Sequence, residues 1–172
     1  LQKNSKIILD AKSGISGAGK SSVENGLEED IKENFKSYNV GFHRHQPEIK
    51  DFLKTEFNLD HEIIFIPHLL PLFRGEYVTL YCEVSQNDLD LNELYESYYE
   101  KHQLVRVKDK GEIAEIKDVI NTFYCDISVS YAFQSNTIVV NSAIDNLLKG
   151  AASQAIQLSL IHISEPTRRA LI

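Results

Sequence analysis

The sequence predicts an α+β domain, because strand-like and helix-like segments are interspersed along the chain. Two further observations support a single folded unit. A length of 172 residues suffices for one well-packed core, and 42% hydrophobic with 25% charged residues is an ordinary globular composition. In addition, no internal repeat or low-complexity linker divides the chain.

The first third of the chain predicts a strand, a loop and a helix. Residues 6–10 are strand-like and lead into a loop rich in Gly and Ser at 13–22. Pro47 suits the first turn of a helix, and Ile49, Phe52 and Leu53 share one face of it.

The middle third predicts two strands and an amphipathic helix. Segments 63–66 and 77–84 are strand-like, and the Pro-containing segment 67–74 predicts the turn between them. Leu and Tyr recur at helical spacing across residues 91–99, which predicts an amphipathic helix.

The last third predicts a hairpin and a capped helix. Apolar residues at the odd positions of 125–131 predict a half-buried strand, followed by a turn at 134–136 and a second strand at 137–140. Ser142, with Asp145 three positions later, predicts the start of a last helix with a continuous apolar stripe.

Charge and cysteine content narrow the class of protein. A net charge of −7 argues against a nucleic-acid surface, which needs clustered Lys and Arg. No apolar run approaches the ~20 residues that span a bilayer. The two cysteines, Cys82 and Cys125, have no metal-like spacing and lie in predicted core strands, so we expect a reduced, cytoplasmic protein without a structural disulfide.

The glycine-rich loop admits two interpretations. Residues 14–21 read GISGAGKS and satisfy the phosphate-binding P-loop pattern, with Lys20 and Ser21 in the positions that contact phosphate and magnesium. A P-loop opens directly into a long helix, whereas Asn25 and Gly26 interrupt the segment that follows here. A nucleotide-binding protein is therefore one alternative, and a simple structural turn is another.

A second candidate site is the pair of histidines before Pro47. If the segment is extended, His43 and His45 point to one face and Arg44 to the other, and Glu48 in the first helical turn can reach back to orient one ring. Such histidines serve as general acid or base. The same set could also bind zinc or form a buried hydrogen-bonded pair.

Three segments together resemble one enzyme family. They are residues 10–19 (DAKSGISGAG), 43–49 (HRHQPEI) and 143–152 (AIDNLLKGAA). In this order and spacing they are similar to the second half of N-acetyl-gamma-glutamyl-phosphate reductase, the NADPH-dependent dehydrogenase of arginine biosynthesis. The resemblance covers about residues 5–157.

The resemblance implies a fold, a reaction and partners. The fold is that of the carboxyl-terminal catalytic and dimerisation domain of glyceraldehyde-3-phosphate dehydrogenase-like enzymes, with a mixed, largely antiparallel sheet over residues 1–141. Residues 142–157 become the helix that packs on an NADP-binding Rossmann domain. The substrate is a small acyl phosphate, NADP(H) is the cofactor, no metal is needed, and the intact protein is a homo-oligomer, either a dimer or a tetramer.

The resemblance also assigns residue roles. His45 or His43 is the acid/base, and we favour His45 because it lies nearer Glu48 along the chain. Asn146 sits near the nicotinamide amide. The substrate-binding set comprises Ser13, Gly14, Ser16, Gly17, Lys20 and Arg74. Lys20 stands where the family usually has Arg, and this change keeps the charge but loses the planar two-pronged donor. A salt bridge at the rim is the alternative role of Arg74.

The two ends of the chain predict a truncation and an artefact. The family is about twice this length, its catalytic cysteine lies just before the position that corresponds to Leu1, and the chain contains no methionine. We therefore expect a truncated reading frame that is inactive by itself. Residues 158–168 (LSLIHISEPTR) resemble a translated transposase-type sequencing adapter, so residues 158–172 are expected to be an artefact.

Two alternatives share most of these motifs. A related acyl-phosphate reductase that acts on an aminoadipate-type substrate held on a carrier protein differs only in residues of the substrate pocket. A non-catalytic dimerising module would retain the fold without the chemistry.

Overall fold

A seven-stranded sheet dominates the computed structural model, which describes residues 1, 5–85, 87–133 and 135–164. The strands are β1 (Lys6–Gly14), β2 (Lys36–Ser37), β3 (Glu62–Leu70), β4 (Glu76–Glu83), β5 (Val105–Val107), β6 (Cys125–Tyr131) and β7 (Thr137–Ile144).

Five α-helices accompany the sheet in the described part of the chain. They are α1 (Lys20–Ser22), α2 (Glu28–Ile31), α3 (His45–Phe57), α4 (Leu91–Tyr99) and α5 (Ser153–Ser164). Short 3₁₀ turns occur at Ile15–Ala18 and Ile116–Asp118, and π-type turns at Val23–Leu27 and Leu148–Ala152. No helix of the described residues is both long and apolar enough to cross a bilayer.

The sheet is mixed and largely antiparallel, as predicted. Its order is β2-β3-β1-β4-β7-β6-β5. Among the described strands, only β1 with β3 and β5 with β6 pair in parallel, and the other four pairings are antiparallel. The long parallel pair at β1 and β3 is joined through α3, as a parallel connection requires.

One face of the sheet, here called the helix face, carries the main core. Register places Ile7 opposite Cys82, and Cys82 opposite Ile138, so alternate residues of these strands point to the same side. Ile49 and Leu53 of α3 and Leu91 of α4 pack against this cluster. The predicted faces are therefore correct only in part, because Phe52 of α3 and Leu94 and Tyr98 of α4, which the same patterns assign to these faces, are more than half exposed.

The other face, here called the open face, is covered only at one end by described residues. The segment 108–124 lies there: Ala114 and Val119 pack with Ala143, and the backbone N–H of Ala114 donates to the Ser128 hydroxyl. The prediction of a half-buried β6 was therefore incomplete, because this segment also buries the polar positions on the strand's second side.

Two predicted boundaries were wrong because neighbouring strands extend further than propensity suggests. The segment 67–74 was predicted as a turn, yet β3 continues through Pro67 and His68 to Leu70, in register with β1. Proline is tolerated here because β3 has only the two-residue β2 on its other side. The turn itself is confined to residues 71–75.

Ser142 does not cap a helix. It lies within β7, paired with Val78 and Ile127, and the strand continues to Ile144. Asp145 is the residue that accepts hydrogen bonds from the following backbone, at the N–H groups of Leu147 and Leu148. The α-helix proper begins only at Ser153 and continues to Ser164, into the segment predicted to be an artefact.

The remaining predictions have mixed outcomes. The predicted helix at residues 91–99 is confirmed. Its N-cap is Asp90, whose side chain accepts from the N–H groups of Asn92 and Glu93. Of the predicted turn 134–136, Gln134 lies outside the described residues, and so do residues 165–172 of the predicted artefact.

Candidate active site

A cleft of about 320 Å³ opens on the helix face, where β1, β3 and β4 end beside α3. It brings together three segments that are distant in sequence: the glycine-rich loop, the histidine turn and the start of the last helical region. Its lining includes Ser13, Ser16, Gly17, Tyr38, His43, Arg44, His45, Glu76 and Asn146.

The floor of the cleft is the end of β1 packed on the β3–β4 turn. The N–H groups of Gly14, Ile15 and Ser16 donate to the carbonyls of that turn at 2.7, 2.9 and 3.0 Å. A Cβ at Gly14 would lie 2.8 Å from the Phe73 carbonyl oxygen. Glycine is therefore required at this position, because any side chain would prevent the close contact between the two backbones. Gly14 contributes to the floor of the cleft through its main chain and not through a substrate contact of a side chain.

Ser13 and Gly17 shape the entrance above this floor. The Ser13 hydroxyl donates to the Gly14 carbonyl at 3.1 Å, and a Cβ at Gly17 would come within 2.5 Å of that same hydroxyl. Because residue 17 has no side chain, the Ser13 hydroxyl remains open to the cleft.

Asn146 fastens the loop to the turn. Its amide donates to the Ser16 hydroxyl at 2.9 Å, and its carbonyl oxygen accepts from the Gly75 N–H at 2.8 Å. The side chain still lines the cleft, and it retains one N–H and one lone pair, enough to meet a carboxamide group.

The two histidines lie side by side on the cleft wall. Their ring centroids are 4.6 Å apart in an edge-to-face arrangement, and both rings lie against Phe65, at 5.1 and 5.8 Å. The expectation that they share one face is confirmed, but the segment is not extended, because His45 is the first residue of α3. Arg44 lines the same cleft, so its predicted placement on the opposite side was wrong.

The electrostatic surroundings of His43 favour a neutral imidazole. Burial lowers the pKa of His43, and the nearby charges of His45 and Arg44 lower it further, while Glu48 acts in the opposite direction. Glu48 is exposed and forms no hydrogen bond with either ring among the described residues. The structure thus limits Glu48 to a through-space effect on His43.

Sequence reasoning missed several residues of the cleft, and two of them, Glu76 and Tyr38, are titratable with shifted pKa values. Burial raises the pKa of Glu76, and the charge of His45 partly offsets this; burial likewise raises the pKa of Tyr38, and the charge of Glu76 adds to the effect. One signal was present: Glu76 occupies a position of β4 whose alternate neighbours Val78, Leu80 and Cys82 are apolar.

Two predicted substrate contacts lie elsewhere. The Lys20 side chain is 88% exposed and pairs with Glu24 at 3.7 Å. The Arg74 guanidinium donates to Asn121 at 3.1 Å and to the buried Asp145 carboxylate at 3.4 Å. Neither residue lines the cleft. The segment after Lys20 is broken at Asn25 and Gly26, which disfavours the P-loop interpretation.

Neither cysteine of the chain suits a nucleophilic role. Burial raises the pKa of Cys82. Burial also raises that of Cys125, against smaller opposing effects of Ser142 and Lys149. Both residues are therefore neutral thiols, and neither lines the cleft. Within the described residues, no group of three or more metal-binding side chains is suitably placed, so His43, His45 and Glu48 do not form a zinc site.

Solved structures of aspartate-semialdehyde dehydrogenases share this fold. Aspartate semialdehyde dehydrogenase II from Vibrio cholerae superposes with a TM-score of 0.73 at 16% identity, over 94% of this chain and 55% of that one. A probable aspartate-semialdehyde dehydrogenase from Pseudomonas aeruginosa gives 0.74 at 15% identity, over 93% and 55%. At such identities the likeness shows the fold alone.

Sequence comparison gives the particular family. The model of the semialdehyde dehydrogenase dimerisation domain matches residues 1–146, and the chain belongs to that family. Curated relatives named N-acetyl-gamma-glutamyl-phosphate reductase include those of Thermoanaerobacter sp. (strain X514), 41% identical over 88% of this chain, and Halothermothrix orenii, 43% identical over 88%. The chain spans 45% and 44% of the lengths of these two relatives.

Proposed function

We propose that this chain is the catalytic and dimerisation portion of an N-acetyl-gamma-glutamyl-phosphate reductase, which converts an acyl phosphate to a semialdehyde in arginine biosynthesis. The observation that carries the proposal is the cleft itself. It unites the Ser13–Gly17 loop, the His43–His45 pair and Asn146, the three segments on which the family resemblance rests.

The residues of the cleft have separate tasks in this reaction. The Ser16 hydroxyl accepts from Asn146 and keeps its own proton to donate to the anionic substrate, while the Ser13 hydroxyl, which donates to the Gly14 carbonyl, offers an acceptor. Arg44 adds positive charge. A cysteine thiolate from outside this chain attacks the acyl carbon, phosphate departs with the bonding electron pair, and a thioester remains. His45 then supplies the proton that balances reduction of the thioester to aldehyde and thiol.

NADP(H) would be held mainly by a domain that this chain does not contain. Asn146 is the residue here that suits the nicotinamide carboxamide, because its amide retains a free donor and a free acceptor. When bound, the cofactor supplies the hydride. The chain's own contribution is the position of Asn146, which the Ser16 and Gly75 contacts hold fixed.

We further propose a cytoplasmic homodimer formed through the open face. Around Ile8, Tyr81 and Val139 this face is half-buried and carries no helix among the described residues. On the same face, the Asp10 carboxylate pairs with Lys12 at 2.8 Å, and its other oxygen lies 3.1 Å from the His68 ring. A second copy would cover the apolar remainder.

A chimera tests the proposed activity. The chain by itself should show no NADPH-dependent reduction of N-acetyl-glutamyl phosphate, because it has no suitable cysteine. Fusing the amino-terminal portion of the Thermoanaerobacter relative to it should restore turnover. In that chimera His45→Ala should lower kcat by about 10²-fold or more, since general acid–base catalysis contributes this much, whereas Lys20→Ala should have little effect.

Two results would contradict the proposal. One is turnover by the pure chain that is lost on His45→Ala. The other is a folded chimera that binds NADPH but reduces neither this acyl phosphate nor one of the aminoadipate type.

A further inference from the structure

Asn121 is an exposed residue with an unusual backbone conformation. Its φ is +60°, a left-handed value that costs free energy in residues other than glycine and that Asn tolerates better than most. Its N–H donates to the Asp145 carboxylate at 2.9 Å, and its side-chain oxygen accepts from the Arg74 guanidinium at 3.1 Å. A strained residue persists where its surroundings determine its conformation, so the role of Asn121 follows from these two partners.

Both partners belong to a double contact between two turns. Arg74 donates to Asp145 at 3.4 Å, and the residue after Arg74, Gly75, donates its N–H at 2.8 Å to the residue after Asp145, Asn146. Two consecutive residues of the β3–β4 turn thus bind two consecutive residues that follow β7. This arrangement of Arg74, Gly75, Asp145 and Asn146 is here called the clasp, and Asn121 contacts both members of its charged pair.

The Asp145 carboxylate connects Asn121 with Asn146. One carboxylate oxygen, Oδ2, accepts from Asn121 and Arg74, and the other, Oδ1, accepts from two N–H groups of the chain that follows Asn146. The side chain is fully buried, so a lost donor leaves an unsatisfied oxygen inside the protein. Loss of the Asn121 contact would therefore let the carboxylate turn, and the adjoining backbone of Asn146 would move with it.

We propose that Asn121 and Arg74 are positioning residues for Asn146. Arg74 acts through Asp145 and does not bind the anionic groups of the substrate, in agreement with its place outside the cleft lining. Asn121 keeps the guanidinium against the carboxylate. The Asn146 side chain therefore keeps both of its hydrogen bonds and presents its remaining donor and acceptor in one orientation. That these groups meet a nicotinamide rests on the proposed function, whereas the order of the clasp does not.

The first experiment follows hydrogen exchange of the Gly75 N–H by ¹⁵N NMR in the full chain, without substrate. Asn121→Gly is the variant, because glycine adopts the left-handed backbone without strain and the change removes only the side-chain acceptor. We expect Gly75 to exchange about fivefold faster, the effect of weakening one hydrogen bond, and the side-chain amide signal of Asn146 to shift. Asn58→Gly is the matched control, since Asn58 is also exposed and left-handed (φ = +52°) but follows α3.

Three outcomes of this experiment would overturn the proposal. One is a Gly75 N–H that exchanges at the wild-type rate in Asn121→Gly, and another is equal acceleration in Asn58→Gly. The third is faster exchange confined to the segment 108–124 with an unmoved Asn146 signal, because this is the result for a residue that supports only its own segment.

The second experiment separates the two candidate roles of Arg74 in the chimera. Arg74→Gln and Asn121→Gly should both weaken NADPH binding, by about fivefold in the Kd from fluorescence titration, and should change the KM for the acyl phosphate less. If Arg74→Gln alone raises that KM and leaves the Kd for NADPH unchanged, Arg74 binds substrate and the proposal is wrong. A chimera that binds NADPH without turnover counts against the proposed function, while the Kd and the exchange rates still decide this inference.

Discussion

At the scale of single residues, Asp145 organises the side of the cleft next to Asn146. Its side chain is fully buried, and it accepts from the N–H groups of Asn121, Leu147 and Leu148 as well as from Arg74. Burial alone would raise the pKa of Asp145, but these hydrogen bonds outweigh it and hold the pKa below its usual range. The carboxylate is thus a structural anion that fixes where Asn146 can lie.

Asp145→Asn should destabilise the chain by about 2–4 kcal/mol at pH 7, because Arg74 loses its buried partner. Since the native carboxyl has a lowered pKa, its stabilisation is complete above the ordinary Asp pKa of about 3.9 and is lost as the pH falls through the native value. The difference in urea-unfolding free energy between the two proteins should therefore shrink below about pH 4. The exposed Asp60→Asn is the control, and a difference that does not vary with pH would contradict this assignment.

At the scale of elements, the turn between β3 and β4 is the support on which the cleft is built. Gly75 adopts φ = +111°, donates its N–H to Asn146 and accepts from the N–H of Gly14. A side chain on Gly75 would bring a Cβ within 2.5 Å of the Ile116 Cγ2 atom. One residue therefore joins the glycine loop, the strand turn and the segment 108–124.

Gly75→Ala should cost about 2–3 kcal/mol of unfolding free energy, from backbone strain together with the clash against Ile116. Gly111→Ala is the matched control, because φ is +92° there but no atom lies within 4 Å of the added Cβ. We expect only about 1 kcal/mol from strain in the control. Chemical denaturation of both variants measures the difference, and equal losses would show that the close approach to Ile116 is unimportant.

Local pattern predicted some elements well and others poorly, for physical reasons. Leu91 and Tyr95 of the predicted α4 stripe and Val129 and Tyr131 of the β6 alternation do pack on the same core, whereas Leu94 and Tyr98 of that stripe are exposed. The predictions at Pro67 and Ser142 were wrong because proline usually ends a strand and serine usually caps a helix. Here the pairing of Pro67 with β1 and of Ser142 with β4 overrides these local tendencies.

At the scale of the whole molecule, the described residues form a sheet with helices on one side and little cover on the other. Tyr81 lies at the middle of the bare side, paired in register with Ile8 and Val139. An uncovered apolar sheet face favours association with a second copy. The family to which the chain belongs is described as a dimerisation domain, which agrees with this arrangement.

Tyr81→Glu should convert a dimer into a monomer, because the charge would be buried at the interface. Light scattering after gel filtration should show about twice 19.6 kDa for the wild type and a single-chain mass for the variant. The same substitution on the helix side, Tyr98→Glu, is the control: Tyr98 is 65% exposed on α4. A dimer that survives Tyr81→Glu, or dissociates equally in both variants, would place the interface elsewhere.

The sequence by itself determined the fold class, the family and several members of the cleft, because these depend on local patterns and short motifs. It identified the glycine loop, both histidines and Asn146. Only the tertiary structure decided which of them meet and what accompanies them. The Ser16–Asn146 hydrogen bond joins residues 130 positions apart, and Glu76 lines the cleft only because the strand register places it opposite Ser13. Proximity along the chain suggested Glu48 as a partner of the histidines, yet Glu48 is exposed and does not line the cleft, whereas Glu76 does. Distance in space decides which side chains meet, and strand register and packing set that distance.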